Sequence, residues 1–265
     1  MDQILDSGPA VQDKIDAGTI LRTDGLTKEF KGFKAVDGVG LEIRRGMIHA
    51  LIGPNGAGKT TCFNLLTKFL TPSAGTIIYN GRNISGMRPA DVARLGLVRS
   101  FQISAVFPHL TVLENIRLAL QKRRGHSYDF WRPQRVLDHL NDEAAALAER
   151  VDLAHLLSTP AAELSYGRKR ALEIATTLAL DPEMMLLDEP MAGMGHEDIS
   201  RIAELIREIG KTRTILMVEH NLSVVASLCH RITVLARGKV LAEGDYATVS
   251  ADPRVVEAYI GGGHA

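Results

Sequence analysis

The sequence predicts an α/β protein with a mostly parallel sheet, an antiparallel β-region near its N-terminus and an inserted helical region. A glycine-rich loop at residues 53–61 follows the apolar run 48–52 and precedes a helical stretch, which places it at a strand-to-helix junction. Strand and helix patterns alternate over residues 168–218, as in a parallel sheet covered by helices. Between about residue 103 and residue 163 the apolar positions instead favour helices, so we expect a helical insertion there.

The antiparallel region is predicted from short apolar runs and one turn signal. Residues 20–27 and 39–44 have the pattern of strands. Asn80-Gly81 separates two further strand-like runs, and this dipeptide supplies the positive φ angles of a type I′ hairpin turn. Before these strands, residues 1–18 are broken by Gly8 and Pro9 and resemble neither a leader peptide nor a strand, so we expect a flexible tail.

The remaining elements are predicted from hydrophobic periodicity. Six segments have the spacing of helices, and two short apolar runs after residue 180 have the pattern of strands. The predicted helices are 62–69, 89–98, 112–122, 138–151, 168–180 and 199–209, and the predicted later strands are 184–187 and 214–218.

The loop at residues 53–61 matches the phosphate-binding pattern G-x-x-x-x-G-K-[ST] in full. Its three glycines allow backbone N–H groups to turn onto a β-phosphate, Lys59 can reach the β- and γ-phosphates, and the Thr60 hydroxyl can ligate Mg²⁺. The sequence therefore predicts a nucleoside triphosphate as substrate. The predicted nucleotide-binding residues of the loop are Gly53, Pro54, Asn55, Gly56, Ala57, Gly58, Lys59, Thr60 and Thr61.

A second motif ends the apolar run 184–187 with two carboxylates, Asp188 and Glu189, followed by Pro190. A run this apolar suits a central parallel strand, whose C-terminal end lies beside the phosphate loop. We expect Asp188 to hold Mg²⁺, directly or through water. Glu189 is expected to orient and polarise the water that attacks the γ-phosphate.

Composition excludes several other classes of protein. Lysine plus arginine equals aspartate plus glutamate at 31 each, which disfavours a tight nucleic-acid binder. The two cysteines, Cys62 and Cys229, lack paired spacing and suit a reducing compartment, and the nine histidines show no zinc-ligand spacing. No apolar stretch approaches the roughly 18 residues that span a bilayer. A GTP switch is disfavoured because no Asn-Lys-x-Asp motif follows the loop.

A third motif, Leu164-Ser165-Tyr166-Gly167 before a helix, resembles the signature of the ATP-binding cassette (ABC) ATPases. Ser165 and the N–H groups around Gly167 would form an anion site at a helix N-terminus. The resemblance implies that this site faces the γ-phosphate of ATP bound by a second cassette, so that two cassettes clamp two ATP molecules. Tyr166 and Arg168 replace the Gly and Gln of the usual signature, while the two positions that meet phosphate are kept.

The same resemblance assigns further residues and a domain organisation. Gln102 corresponds to the glutamine of the Q-loop, His220 to the switch histidine that contacts the γ-phosphate, and Phe30 to the aromatic residue that stacks on adenine, with Val36 beside it. It implies a P-loop NTPase (RecA-like) core with mostly parallel sheet, an N-terminal antiparallel β-subdomain and an inserted α-helical subdomain. The implied catalytic residues are Glu189, His220 and Gln102, and the implied metal ligands are Thr60, Gln102 and Asp188. The implied divisions are 19–102 for the β-subdomain and first part of the core, 103–163 for the helical subdomain, 164–245 for the rest of the core and 246–265 for a C-terminal helix and tail.

One departure concerns the segment after Pro190. Gly195 stands where the family's D-loop commonly has Asp or Asn, so communication between the two ATP sites is expected to differ. His196 is expected to flank the helix that begins near Glu197 rather than to act as a base.

Within the family the sequence resembles the longer of the two cassettes of high-affinity branched-chain amino-acid importers. The segments that carry this resemblance are 53–67, 98–102, 110–115, 164–167 and 256–261, with a basic and aromatic insertion at 122–135. The resemblance implies an ATPase that binds ATP and Mg²⁺ and energises uptake of branched-chain or related amino acids. A urea or amide importer cassette, an export cassette of the lipopolysaccharide type and a non-transport ABC protein remain as alternatives.

The partners implied by the resemblance are two transmembrane permease subunits and a second cassette. The second cassette is expected to be a non-identical paralogue, or another copy of this chain when it is isolated. A periplasmic or extracellular substrate-binding protein is expected as an indirect partner, and no nucleic acid is expected. The chain is expected to be a peripheral subunit on the cytoplasmic face of the inner (plasma) membrane.

Overall fold

The computed structural model describes residues 18–100, 106–123 and 140–261. Its strands are β1 Thr19–Phe30, β2 Phe33–Arg44, β3 Ile48–Ile52, β4 Ala74–Tyr79, β5 Arg82–Asn83, β6 Leu97–Ser100, β7 Met184–Asp188, β8 Thr214–Val218, β9 Arg231–Ala236 and β10 Lys239–Gly244. Its α-helices are α1 Lys59–Leu66, α2 Pro89–Arg94, α3 Val112–Arg123, α4 Asn141–Arg150, α5 Tyr166–Leu178, α6 His196–Gly210, α7 Leu222–Leu228, α8 Tyr246–Ser250 and α9 Pro253–Gly261.

The larger sheet has the strand order β10-β9-β3-β8-β7-β6 and is parallel except for the edge strand β10. Every residue of β3, β7 and β8 is buried, as expected for central strands covered by helices on both faces. The carboxyl ends of these strands share one edge of the sheet. The predicted α/β fold with a mostly parallel sheet is confirmed.

The smaller sheet is antiparallel, with the order β2-β1-β4-β5. Asn80 and Gly81 join β4 to β5 with φ angles of 49° and 75°, the positive values that the type I′ turn requires. The buried side chains of Phe63 on α1 and Tyr79 on β4 belong to one hydrophobic cluster with Leu51, Leu186 and Leu216 of the larger sheet. The antiparallel sheet and α1 therefore cover one face of the parallel sheet.

The helical region packs on the opposite face of the larger sheet and shares a hydrophobic core with it. Helices α3 and α4 contact each other and both contact α5. The buried side chains of Ile116 on α3 and Leu147 on α4 belong to the same cluster as Leu172 on α5 and Met185 on β7. The helical region is thus anchored to the sheet through α5, the helix that follows the signature motif.

Several predicted elements differ from the structure. The predicted helix 89–98 is wrong at its end: α2 stops at Arg94, and Leu97 and Val98 begin β6, which pairs in parallel with β7. Gly96, with a φ of 93°, separates the two elements, and pairing with a buried strand outweighs the helical spacing. The strands β9 and β10 were not predicted. Apart from Gly18, the tail predicted at residues 1–18 lies outside the described residues. So do the start of the helix predicted at 138–151 and most of the insertion 122–135.

A buried histidine on β3 contacts the neighbouring strand β9 of the larger sheet. His49 on β3 is 1% exposed, and its Nε2 lies 2.8 Å from Thr233 Oγ1 on β9. Thr233 Oγ1 in turn donates to Glu243 Oε2 at 2.9 Å, so the imidazole is the donor to the threonine. Burial, with a smaller contribution from the charge of Arg231, lowers the pKa of His49 to about 3. The imidazole therefore stays neutral in the folded protein.

This depressed pKa predicts acid sensitivity. Below pH 6.5 the unfolded chain binds a proton on His49 that the folded chain does not bind until about pH 3, so stability falls as the pH falls through this window. Between pH 7 and pH 5 the loss from this residue is about 2 kcal/mol. In His49→Gln, whose amide keeps a donor for Thr233, the loss measured by denaturant unfolding should be smaller by that amount. An identical pH dependence in both proteins would contradict this prediction.

Candidate nucleotide site

The loop 53–58 connects β3 to α1 with a backbone that only glycine accommodates. Gly53, Gly56 and Gly58 have φ angles of 148°, 75° and 101°. A Cβ atom on Gly53 would lie 2.1 Å from the carbonyl oxygen of Leu235, and one on Gly58 would lie 2.4 Å from that of Ala35. Backbone oxygens of the neighbouring strands thus lie in close contact with the loop. The glycines allow the loop to turn at the place where phosphate is expected to bind.

Lys59, the first residue of α1, folds its side chain back across this loop. Its Nζ donates to the carbonyl oxygens of Gly53 at 2.6 Å and of Pro54 at 3.0 Å. Burial lowers the pKa of Lys59, and the charges of Glu189 and Asp188 oppose that shift. The ammonium group is therefore near enough to both carboxylates for their charges to affect its pKa. Ala57 is buried, Pro54 and Thr61 are half-buried, and Asn55, Gly56 and Thr60 are exposed.

Asp188 ends β7 in a buried network of charges. Its side chain is 2% exposed and forms an ion pair with the guanidinium of Arg99, which also donates to Asn64 Oδ1 of α1 at 2.5 Å. Arg170 on α5 donates to the backbone oxygen of Asp188 at 3.0 Å and to Glu173 Oε2 at 2.7 Å. Arg99 of β6 therefore holds the carboxylate predicted to bind Mg²⁺, and Arg170 of α5 holds the backbone of the same residue.

Glu189 and His220 are brought together at the same edge. Glu189 has a left-handed φ of 46°, and its N–H donates to the carbonyl oxygen of Val218 at 2.9 Å. This pairing leaves Glu189 Oε1 at 3.6 Å from His220 Nδ1, with the histidine side chain 58% exposed. The third predicted catalytic residue, Gln102, lies outside the described residues, which stop at Ser100 and resume at Val106.

Thr60 and Asp188 carry oxygen donors of the kind that bind Mg²⁺, and their role as metal ligands stays a prediction. Thr60 offers a hydroxyl at the start of α1 and Asp188 a carboxylate at the end of β7, and oxygen donors supplemented by substrate phosphates are what Mg²⁺ prefers. The charges of Glu189 and Asp188 oppose the lowering of the Lys59 pKa, which agrees with a position of these oxygen donors beside the phosphate loop. In the described ranges, no group of three or more His, Cys, Asp and Glu forms an all-protein metal cluster.

Ser165 and Gly167 lie at the N-terminus of α5. Ser165 is the exposed N-cap, and Gly167 is buried, with its missing Cβ position 2.5 Å from Asp198 Oδ1 of α6. A side chain at this position would therefore have to displace the carboxylate of Asp198. No hydrogen bond or ion pair among the described residues joins these two positions to the phosphate loop of the same chain.

The two residues predicted near adenine lie in different environments. Phe30 at the end of β1 is 43% exposed, with Lys28 Nζ 5.2 Å from the centre of its ring. Its exposed face suits stacking on a base. Val36 on β2 is fully buried, and its Cγ2 lies 3.5 Å from the missing Cβ position of Gly58. Val36 thus lies beneath the phosphate loop, and its contact with nucleotide stays a prediction.

Helix α6 begins at His196, with Gly195 as its N-cap in an extended conformation. The histidine flanks the helix as expected, and Ser200 Oγ donates to its backbone oxygen at 3.1 Å. A Cβ atom on Gly195 would meet nothing within 4 Å, so packing inside this chain does not require glycine there.

The family model of ABC transporters matches residues 36–192, and that of the branched-chain amino acid ATP-binding cassette transporter matches residues 239–265. The chain belongs to the ABC transporter family of ATPases. It is 38% identical over 249 residues to the high-affinity branched-chain amino acid transport ATP-binding protein LivG of Salmonella typhimurium, covering 91% of this chain and 98% of the relative.

Other relatives agree with this assignment. A probable branched-chain amino acid transport ATP-binding protein LivG of Methanocaldococcus jannaschii is 34% identical, with 93% of this chain and 99% of the relative covered. The crystal structure of the ADP conformation of MJ1267, an ATP-binding cassette of an ABC transporter, superposes with a TM-score of 0.81 at 33% identity, covering 92% of this cassette and 99% of MJ1267. Among the described residues of the cassette, no helix has the length and apolarity needed to cross a membrane.

Sequence analysis missed three charged residues that support this site. Arg99 pairs with Asp188, Arg170 holds the backbone of Asp188, and the buried carboxylate of Glu219 accepts three backbone N–H groups near Glu189 and His220. A signal was present in two cases. Arg99 interrupts a short apolar strand and Glu219 directly follows one, and a charge in such a position is buried only when it is paired or hydrogen-bonded.

The loop geometry gives a matched test of nucleotide binding. Gly56 and Gly58 both have positive φ angles, but only at Gly58 would a Cβ atom clash with a carbonyl oxygen. Gly56→Ala should therefore cost only the backbone strain of a left-handed alanine, about 1–2 kcal/mol. Gly58→Ala should in addition displace the loop, and its ATP affinity should fall at least about 100-fold, which corresponds to a loss on the order of 3 kcal/mol in binding free energy. Isothermal titration with ATP measures both, and equal affinities in the two variants would refute this account of Gly58.

Proposed function

We propose that this cassette is the ATP-binding and ATP-hydrolysing subunit of an importer that takes up branched-chain or related amino acids through a membrane permease. The observation that carries the catalytic part is the meeting of Lys59, Asp188, Glu189 and His220 at one edge of the parallel sheet. The import part is supported by two relatives named as branched-chain amino acid transport ATP-binding proteins, which match more than nine tenths of this chain.

The phosphate loop would bind the triphosphate by exchanging internal contacts for contacts with substrate. Lys59 now donates to the oxygens of Gly53 and Pro54, and these bonds would give way to bonds with the β- and γ-phosphates. Thr60 and Asp188 would hold Mg²⁺, and Gln102 is proposed as a further ligand. Bound Mg²⁺ would supply neutralisation of the charge that develops on the phosphate oxygens.

Glu189 and His220 are proposed to share the hydrolytic step. Glu189 would accept a hydrogen bond from the attacking water and orient it towards the γ-phosphate. His220 would donate a hydrogen bond to that phosphate, and its distance of 3.6 Å from Glu189 lets both side chains face one nucleotide. The fixed backbone at Glu189, bonded to Val218, would keep the carboxylate in place through the reaction.

A second cassette is proposed to complete each ATP site. Ser165 is exposed at the N-terminus of α5, a 13-residue helix whose dipole favours an anion there. Since this N-terminus makes no hydrogen bond with the phosphate loop of the same chain among the described residues, its phosphate is expected to come from the partner. The partner is proposed to be a non-identical paralogue.

A surface cleft of about 670 Å³ is the proposed docking site for the permease. It lies between α2 and β6 on one side and α3 and α5 on the other, and Phe69, Phe107 and Leu118 line it with exposed apolar side chains. A short apolar helix from a cytoplasmic permease loop is the proposed occupant. Arg99 also lines the cleft and pairs with Asp188, so movement of this wall would reach the Mg²⁺ ligand.

The transported substrate is proposed from relatives, because it would contact the permease and a substrate-binding protein rather than this subunit. LivG of Salmonella typhimurium and BraF of Pseudomonas aeruginosa are both named as high-affinity branched-chain amino acid transport ATP-binding proteins. We propose the same substrate class here, with the cassette as a peripheral subunit on the cytoplasmic face of the inner membrane.

Replacement of Glu189 tests the hydrolytic mechanism. Glu189→Gln keeps the shape of the side chain but removes the carboxylate that polarises water, so ATP turnover should fall at least about 100-fold. ATP binding should persist, and size-exclusion chromatography should show a closed dimer with ATP bound. Glu204→Gln, which changes an exposed glutamate on α6, serves as the matched control and should keep wild-type turnover. Unchanged hydrolysis in Glu189→Gln would refute the proposed role of Glu189.

Copurification from membranes tests the transport role. The tagged cassette should be recovered with two permease subunits and a second cassette. Leu118→Glu places a charge in the apolar cleft and should remove the permease from the recovered complex while leaving ATP affinity unchanged. Val256→Glu, at an exposed apolar position on α9 outside the cleft, is the control and should keep the permease. Recovery of the wild-type cassette without any permease would contradict the proposal.

A further inference from the structure

Glu219 is a buried carboxylate directly beside the proposed catalytic residues. It follows the last residue of β8, is 1% exposed, and precedes His220 in the chain. Burying an ionised carboxylate costs several kcal/mol unless hydrogen bonds replace its water. A glutamate at this position therefore requires an explanation in terms of what its oxygens contact.

The two oxygens of Glu219 bind two different segments. Oε1 accepts the N–H of Met191 at 3.0 Å, two residues beyond Glu189. Oε2 accepts the N–H of His220 at 3.1 Å and that of Asn221 at 3.3 Å. One side chain thus cross-links the segment that carries the proposed base to the segment that carries the proposed switch histidine.

Neighbouring contacts make this cross-link rigid. The N–H of Glu189 is bonded to Val218, so the two segments are joined once by the backbone and once by the carboxylate. Beyond His220, the side chain of Asn221 accepts the N–H groups of Ser223 and Val224 and caps α7. The backbone of His220 is therefore held on both sides, while its side chain remains 58% exposed for a ligand.

We propose that Glu219 is a positioning residue for ATP hydrolysis, which sets the separation between Glu189 and His220 by binding Met191, His220 and Asn221 through one carboxylate. The proposal rests on the function proposed above for Glu189 and His220. Glu219 touches no reacting atom. Its effect on turnover passes through the placement of the other two residues.

The replacement Glu219→Gln separates this role from bulk packing. The amide keeps the size of the side chain but has a single acceptor oxygen, so its NH₂ group must oppose at least one of the three backbone N–H groups. Turnover at saturating ATP should fall about tenfold or more, with ATP affinity unchanged within about twofold. Hydrogen exchange at Met191 or at His220 and Asn221 should become at least about tenfold faster.

Two further variants keep the test decisive if the amide variant folds poorly. Glu219→Asp keeps two acceptor oxygens, but its shorter side chain cannot span both segments. Turnover should therefore fall. Hydrogen exchange at Met191 should become faster, while the amides of His220 and Asn221 stay protected. Glu208→Gln, an exposed glutamate on α6, is the matched control and should behave as wild type.

A double-mutant cycle identifies the path of the effect. Since Glu219 is proposed to set the separation between Glu189 and His220, that separation no longer affects turnover once the imidazole is removed. Glu219→Gln should therefore reduce single-turnover hydrolysis by less than about threefold in a His220→Ala background. Two outcomes would overturn this inference alone. The first is a tenfold loss from Glu219→Gln that persists undiminished in the His220→Ala background. The second is wild-type turnover in Glu219→Gln when His220→Ala loses turnover. Unchanged turnover in His220→Ala would instead overturn the proposed role of His220 and this inference with it.

Discussion

The parallel pairing of β3, β8 and β7 is the constraint on which the nucleotide site depends. Leu51 on β3 and Asp188 on β7 are both paired with Val218 on β8, so the three strands end at the same level. The phosphate loop, Glu189 and His220 are the residues that leave these strand ends. Because all three strands are buried on both faces, a shift of register would expose apolar side chains or bury polar ones, and the pairing is strongly specified.

Buried charges then fix the residues at this edge. Arg99, Arg170 and Glu219 are each bonded to the ends of β7 or β8 or to the segments that follow them. Such groups add little net stability, since desolvation offsets their attraction, but removal of one partner leaves an uncompensated charge. Their contribution here is geometric. Arg99 also connects Asp188 to the wall of the surface cleft, which gives a physical link between the proposed docking site and the proposed Mg²⁺ ligand.

Sequence reasoning succeeded where the signal was local. The phosphate loop, the strand before Asp188 and the Asn80-Gly81 turn each depend on neighbouring residues and appear where predicted. The start of strand β6 was misread because Leu97 and Val98 continue the helical spacing of the residues before them and become part of a strand only through pairing with β7. The partners of Glu219 could not be predicted for the same reason, since Met191 reaches it through the fold across 28 positions of sequence.

The distribution of exposure across the site indicates how it must operate. The supporting groups Asp188 and Glu219 are buried, whereas Thr60, Ser165 and His220 are exposed. An exposed donor competes with water, and its electrostatic contribution grows several-fold when water is excluded. Rigid support inside the chain therefore cannot by itself make these groups effective towards a γ-phosphate. We therefore propose that a second surface covers them, and the exposed N-terminus of α5 is the part of this chain suited to cover the same site in a partner cassette.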